Sequence, residues 1–440
     1  MPTVVVASDS FKGSLTSLEV GDAVRLGLLD VAPSAQVVVV PVADGGEGTV
    51  AAALAAGWEA VPVMVHGPTG EPVSATLAAR RSGSGVTVVV EMADACGLGR
   101  LPGGIPAPLT ASSRGLGEAV SAALDLGADE VVVGVGGSAS TDGGAGLLAA
   151  LGARLLDAAG ADLPDGGAAL ADLHQLDLSR LDPRLATTAL VLAADVDSPL
   201  LGPTGAAAVF APQKGATPDE VAVLEAALTH WSDAVTVAVA TSTNRSKLLH
   251  PTEPGDGTRS TYWSKLPHPT EPGDGTGSTY WSKLPHPTEP GDGTRSTYWS
   301  KLSQQAGAGA AGGVGFALLA VLGAERRSGV DVVLDLVGLE AALAEADLVV
   351  TGEGALDEQT LAGKAVSGVA RRARASGIRT VAVCGRRTLD DDGLAALGLH
   401  AAYPLSDLEP DPQRSIGDAA DLLRRTGRRI AQDWLTPAPE

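Results

Sequence analysis

The chain of 440 residues is long enough for two or three hydrophobic cores, carries only 3% aromatic residues and has a formal net charge of −21. That charge, with a pI near 4.7, argues against binding nucleic acid or acidic membranes through bulk electrostatics. No apolar run of about 20 residues is free of turn formers, so a membrane span is not expected. The two cysteines, Cys96 and Cys384, stand in no metal-ligand spacing and read as buried thiols of a reducing, cytoplasmic compartment.

In chain order, residues 3–8 predict a strand, then a loop and a helix over about 17–30, opened by the capping-box pair Thr16 and Glu19. Val37 to Pro41 predicts a second buried strand, ending at Asp44-Gly45-Gly46-Glu47-Gly48-Thr49 and an Ala-rich helix. Residues 58–91 carry shorter strands, with turn signals at 67–70 and 82–85. A helix near 115–126 precedes the strand Glu130 to Val135, and the strand Ala189 to Ala194 ends at Asp195-Val196-Asp197-Ser198-Pro199. A helix over roughly 217–240, the glycine-rich segment 307–315, a strand at 347–351, a loop at 352–364, a helix to about 376, a strand at 379–384 and a C-terminal helix complete the pattern. Short Val-rich runs alternating with Ala/Leu-rich segments define an α/β fold with largely parallel strands, whose ligand groups belong at the strands' carboxyl ends.

Residues 246–299 are three near-identical 18-residue units, each centred on Thr-Glu-Pro-Gly-Asp-Gly-Thr and ending Ser-Thr-Tyr-Trp. A unit so short and so rich in Pro and Gly cannot bury a core alone, so a mobile surface insert is expected. Each unit brings one histidine (His250, His268, His286) without a second ligand at metal spacing. The expected organisation is a first α/β domain from 1–62 and 316–440, a second from 63–245 and 300–315, and the insert.

Four of the seven lysines lie in or directly after the repeats; the other three, Lys12, Lys214 and Lys364, each adjoin a glycine in a turn-rich stretch. A chain that otherwise uses arginine has kept the compact ammonium there, which points to anion binding. Glycine-rich turns recur at 44–48, 134–144, 307–315 and 352–354, and three of them carry acids: Asp44 with Glu47, Asp142, and Glu353 with Asp357. Backbone N–H groups in such turns cradle phosphates, and neighbouring carboxylates hold Mg²⁺. The chain has no G-x-x-x-x-G-K-[ST] segment, which excludes P-loop chemistry. Gly134-Val135-Gly136-Gly137-Ser138-Ala139, with Asp157 at the spacing of a ribose-binding acid, keeps an NAD-dependent hydroxy-acid dehydrogenase as the alternative. A catalytically inactive metabolite-binding relative is a third reading.

The residues resemble the type-1 glycerate kinase family over nearly the whole chain outside the repeats. The resemblance rests on Asp9-Ser10-Phe11-Lys12-Gly13-Ser14, Asp44 to Thr49, Gly136-Gly137-Ser138-Ala139, Phe210 to Thr217, Gly307 to Gly313, and Thr351 to Lys364. It implies ATP- and Mg²⁺-dependent phosphorylation of D-glycerate, with 2-phosphoglycerate (or 3-phosphoglycerate) as product, on two α/β domains with the site in the cleft between them; a homodimer is left open. Departures are Thr141, Ala194 and Asp197-Ser198, where the family more often has Asn, Cys and Thr-Asn. Under this reading Lys12, Asp44 and Asp195 are catalytic, with Asp195 the base toward the glycerate hydroxyl. Asp9, Ser10, Glu47, Ser113 and Arg114 contact substrate. Gly136, Gly137, Ser138, Lys214, Gly309, Gly312 and Lys364 contact nucleotide, and Glu353 and Asp357 hold the metal.

Overall fold

A computed structural model describes residues 1–83, 85–241, 302–361 and 363–436; the repeats at 246–299 lie outside these described residues. The Val-rich runs form two main sheets. The first has the order β13-β12-β11-β1-β2, from β1 (Thr3–Ser8), β2 (Gln36–Val39), β11 (Leu348–Leu356), β12 (Arg379–Arg387) and β13 (Ala401–Pro404). Every pairing in it is parallel. The second has the order β10-β9-β6-β5-β4-β3, from β3 (Glu59–His66), β4 (Pro72–Ser82), β5 (Gly85–Glu91), β6 (Glu130–Gly134), β9 (Ala189–Ala193) and β10 (Glu325–Arg327). Here β5, β6, β9 and β10 run parallel, whereas β3–β4–β5 are antiparallel. The second sheet is therefore mixed, because the tight turns at 67–70 and 82–85 leave no room for crossover helices. A small ribbon pairs β7 (Arg154–Leu156) with β8 (Gln175–Asp177).

The expected helices near 17–30, 115–126 and 217–240 form, and Ala310–Ala320, expected only as part of a glycine-rich segment, is helical as well. Helix α1 (Ser17–Val31) carries the full capping box, with Thr16 Oγ1 accepting the Glu19 N–H and Glu19 accepting the Thr16 N–H. Helix α2 (Thr49–Ala55) follows the Asp44 turn, and α3 (Arg114–Asp125), α4 (Pro218–Thr241) and α5 (Ala310–Ala320) cover one face of the second sheet through a core that includes Leu116, Val120, Leu228, Trp231 and Phe316.

Helix α6 (Gly329–Leu336) belongs to both sheets. Its sequence is apolar almost all round, so it must be covered on more than one side. Val330 and Leu334 pack with Val5, Ala7, Val40 and Val349 of the first sheet. Val332 and Leu336 pack with Val50, Trp58, Val89, Val132 and Val191 against the other face of the second. Trp58 Nε1 donates to the Leu336 carbonyl at 3.2 Å, tying α6 to the segment between α2 and β3.

Two expected boundaries shift. The second sheet begins at Glu59 and ends at Arg327, across the expected divisions at 62 and 316, because β3 pairs along its whole length with β4 and β10 pairs with β9. Residues 352–356, expected as loop, continue β11, held by β12 as far as Leu356 opposite Arg387.

Candidate functional site

The carboxyl ends of β1, β2 and β11 in the first sheet and of β5, β6 and β9 in the second all lead to one neighbourhood. At the end of β1, Asp9 donates its N–H to the Gly352 carbonyl and accepts the Ser10 N–H at 2.6 Å. Burial, with the Asp44 charge adding to it, pushes the Asp9 carboxyl up to about 6. The following turn closes between Phe11 and Leu15 and leaves Lys12 pointing outward, its side chain 78% exposed and its Nζ 3.7 Å from Asp44 Oδ2.

Asp44 Oδ1 accepts the Gly46 N–H at 3.1 Å, which shapes the turn after β2. Gly45 adopts φ +82° and sits against Gly329 at the start of α6, while Gly46 sits against Gly136 after β6; a Cβ at Gly45 or at Gly136 would strike backbone. These glycine contacts bring the first sheet's acidic turn onto the second sheet's strand ends. There Asp195 accepts the N–H groups of Gly329 and Val330 at 3.0 and 3.2 Å. Its carboxyl is raised by burial, with Asp44 contributing. The extra acid Asp197 does not face it: Asp197 is paired with Arg326 at 2.7 Å.

On β11, Glu353 is buried, accepts the Thr360 hydroxyl at 2.5 Å and lies 3.6 Å from Lys364 Nζ. Burial raises its carboxyl, and the charges of Asp9 and Asp357 add to that. Asp357 accepts the Gln359 N–H at 2.9 Å and so organises its own turn. Asp357, Glu353, Asp9, Asp44 and Asp195 thus form a line of mutually repelling acids with Lys12 and Lys364 at its sides. Such a donor set fits a hard cation. Among the described residues no group of three or more His, Cys, Asp or Glu side chains is placed to hold a metal ion; Mg²⁺ takes one or two carboxylates and fills its other positions from water and phosphate.

Several residues expected to contact ligand have protein partners of their own. Ser113 is fully buried, and its N–H and hydroxyl both donate to Asp142 at 2.8 Å. Arg114 is held bidentately by Asp165 at 2.7 and 2.9 Å. Lys214 is 2% exposed and donates to the Ser140 carbonyl at 2.5 Å, with burial pulling it down to about 7. Gly309 and Gly312 press against the carbonyls of Pro199 and Ser140. Ser113, Lys214, Gly309 and Gly312 pack from inside against the 136–144 and 307–313 segments, whereas Arg114 pairs with Asp165 nearer the surface. Gly136 reaches the junction through Gly46, Gly137 is exposed, and Ser138 is buried in a bridge with Gly97.

The dinucleotide alternative loses its geometry. Asp157 accepts the N–H groups of Ala159 and Ala161 in a turn, and the helix after Gly134–Ala139 starts only at Ala145. One residue with a clear place in the site was not singled out from sequence. Glu91, at the end of β5, is buried and accepts the N–H groups of Gly48 and Val50; an acid closing a run of valines was its only signal.

Fold and geometry define the class: an α/β protein with a carboxylate-rich site where the strand ends of two sheets meet. Comparison with known proteins narrows it. The sequence pattern of the glycerate kinase family matches residues 4–258 and 292–435, breaking off inside the repeats. The chain is 38% identical to the glycerate kinase of Bacillus subtilis (strain 168) over 97% of its own length and 96% of that protein's. It is 36% identical to the glycerate 2-kinase of Escherichia coli (strain K12), covering 97% of both. A crystal structure of a candidate glycerate kinase 2 from Salmonella typhimurium LT2 superposes with a TM-score of 0.73 at 35% identity over 98% of both chains. The chain belongs to the glycerate kinase family.

Proposed function

We propose that this protein transfers the γ-phosphoryl group of ATP to D-glycerate, giving 2-phosphoglycerate, at the line of acids between the two sheets. The observation that carries this reading is the succession of acids in which Glu353 feels the charge of Asp9, Asp9 that of Asp44, and Asp195 that of Asp44. Phosphoryl transfer needs positioning and charge neutralisation more than covalent chemistry. Mg²⁺ bound near Glu353 and Asp357 would neutralise phosphate charge. Lys12, exposed and within reach of Asp44, grips either the γ-phosphate or the glycerate carboxylate. Lys364 faces the phosphates, and the Gly136-Gly137-Ser138 backbone lines the nucleotide's path. Asp44, Glu47 and Ser10 orient glycerate, and Asp195 draws the proton from its hydroxyl. The free thiols Cys96 and Cys384 suit a reducing cytoplasm, where we place the reaction.

The test is a coupled ADP-release assay with glycerate, glycolate, tartronate and glycerol, followed by phosphorus NMR of the product. Glycerate-dependent ADP release with phosphate on C2 is the expected result. Absence of glycerate-dependent release would overturn the activity; phosphate on C3 would keep the activity and correct the position.

A further inference from the structure

We infer that Glu91 is a positioning residue for this site: from the end of β5 it holds the turn that carries Asp44 and Glu47 in register against the second sheet. The inference rests on the reading that Asp44 and Glu47 meet the substrate. Glu91 Oε1 accepts the Gly48 N–H at 2.9 Å and Oε2 accepts the Val50 N–H at 3.0 Å, a two-point grip across more than 40 residues of chain. The other hydrogen bonds described for the turn are its own: Gly46 N–H to Asp44, and Thr49 Oγ1 and N–H to the Gly46 carbonyl. Glu91 is therefore the turn's hydrogen-bonded link to the second sheet, and its neighbour in register, Gly134, sits against the carbonyl of Gly45.

The chemistry of the grip requires a carboxylate. Two N–H donors converge on one side chain, and only an ionised acid presents an acceptor to each without a donor of its own. Glutamine would keep the shape but aim an NH₂ group at one of the two N–H groups. The acid is held there at a cost: Glu91 is 6% exposed, and Glu47 and Asp94 add like charge to the burial that raises its carboxyl to about 7. A hydrophobic side chain would fill the space without that penalty but would leave both donors unpaired. Displacing reacting groups by about 1 Å costs on the order of 10²-fold in rate, so the grip acts on turnover through Asp44 and Glu47 and not by touching substrate.

Glu91→Gln and Glu91→Asp, measured beside the wild type by steady-state kinetics, thermal melting and amide hydrogen exchange, test this. Glu91→Gln is expected to lower kcat by about 10-fold or more, to change KM for ATP by less than about threefold, and to speed exchange at Gly48 and Val50. Glu91→Asp keeps the charge but is one methylene short, and should fall between the two. A folded Glu91→Gln protein with kcat within twofold of wild type, or with unchanged protection at Gly48 and Val50, would overturn the inference. If Glu91→Gln does not fold, Glu91→Asp decides: lowered kcat at the wild-type melting temperature supports the role, and unchanged kcat rejects it. The exchange measurement needs no substrate, so a wild type inactive on glycerate would sink the proposed reaction while still reading out the grip.

Discussion

One carboxylate oxygen of Asp195 accepts the N–H of Gly329 at 3.0 Å, so the strand end that supplies the proposed base also caps the helix shared by both sheets. The two duties separate by magnitude. Losing a capping carboxylate costs about 1 kcal/mol of stability, whereas losing a general base costs about 10²–10⁴ in rate. Asp195→Asn should unfold at slightly lower urea concentration and turn over at least about 10²-fold more slowly. Reduced stability with near-normal turnover would leave Asp195 as a cap alone.

Lys12 is mostly exposed, and its Nζ lies 3.7 Å from Asp44 Oδ2. An ion pair so open to solvent contributes about 0–1 kcal/mol to stability. Lys12→Ala should therefore melt within a degree or two of wild type while losing on the order of 10²-fold or more in kcat/KM. Lys12→Arg should recover little of it, because the guanidinium is larger and planar. Full recovery by arginine would mean that charge alone is required.

Stability should rise as pH falls from about 7.5 to 5.5. Asp9 and Glu91 have folded values raised to about 6 and about 7, so the folded protein takes up these protons more readily than the unfolded chain. Each opposes folding when ionised, and its penalty fades as pH drops through the folded value toward the ordinary carboxylate range. Lys214, pulled down to about 7, acts between about 7 and 10.5, where rising pH favours the folded form. Thermal melts of Asp9→Asn should show a flatter pH dependence between 7.5 and 5.5; an unchanged slope would contradict the burial of that charge.

Chelation of Mg²⁺ should abolish turnover, with recovery on adding the ion back. Glu353→Gln should raise the Mg²⁺ concentration needed for half-maximal rate by about 10-fold or more, since the remaining acids must hold the ion without it. An unchanged Mg²⁺ requirement would remove Glu353 from the metal site.

Deleting residues 246–299 should leave turnover within about threefold of wild type, measured in the same coupled assay. The family's pattern is interrupted inside these repeats, and the three units are nearly identical. A collapse in activity would show that the repeats contribute to catalysis.

Asp9, Asp44, Asp195 and Glu353 were legible as strand-end acids because each closes an apolar run, and Asp44 and Glu353 also adjoin a glycine. Inward-facing polar residues were not. Lys214 sits between Gln213 and Gly215 in a segment that reads as an exposed turn, yet the 140 and 312 segments close over it; burial of that kind is decided by partners distant in the chain. The burial of Ser113 was hidden for the same reason, since its partner Asp142 is 29 residues away. The turns at 67–70 and 82–85 were readable, but that they make two of the second sheet's five pairings antiparallel follows from their tightness. Glu91 escaped notice because a single acid after valines reads as a strand end meeting water, and only the fold places it under the Asp44 turn.

Strand β1 lies between β2 and β11, with Val4 opposite Leu348, 344 residues further along. During synthesis the first strand therefore leaves the ribosome with β2 as its sole available neighbour, and a two-stranded sheet is marginal by itself. The strands of the second sheet, from Glu59 to Arg327, are all made before Leu348 appears. The first sheet can therefore be completed only after every strand of the second has been synthesised.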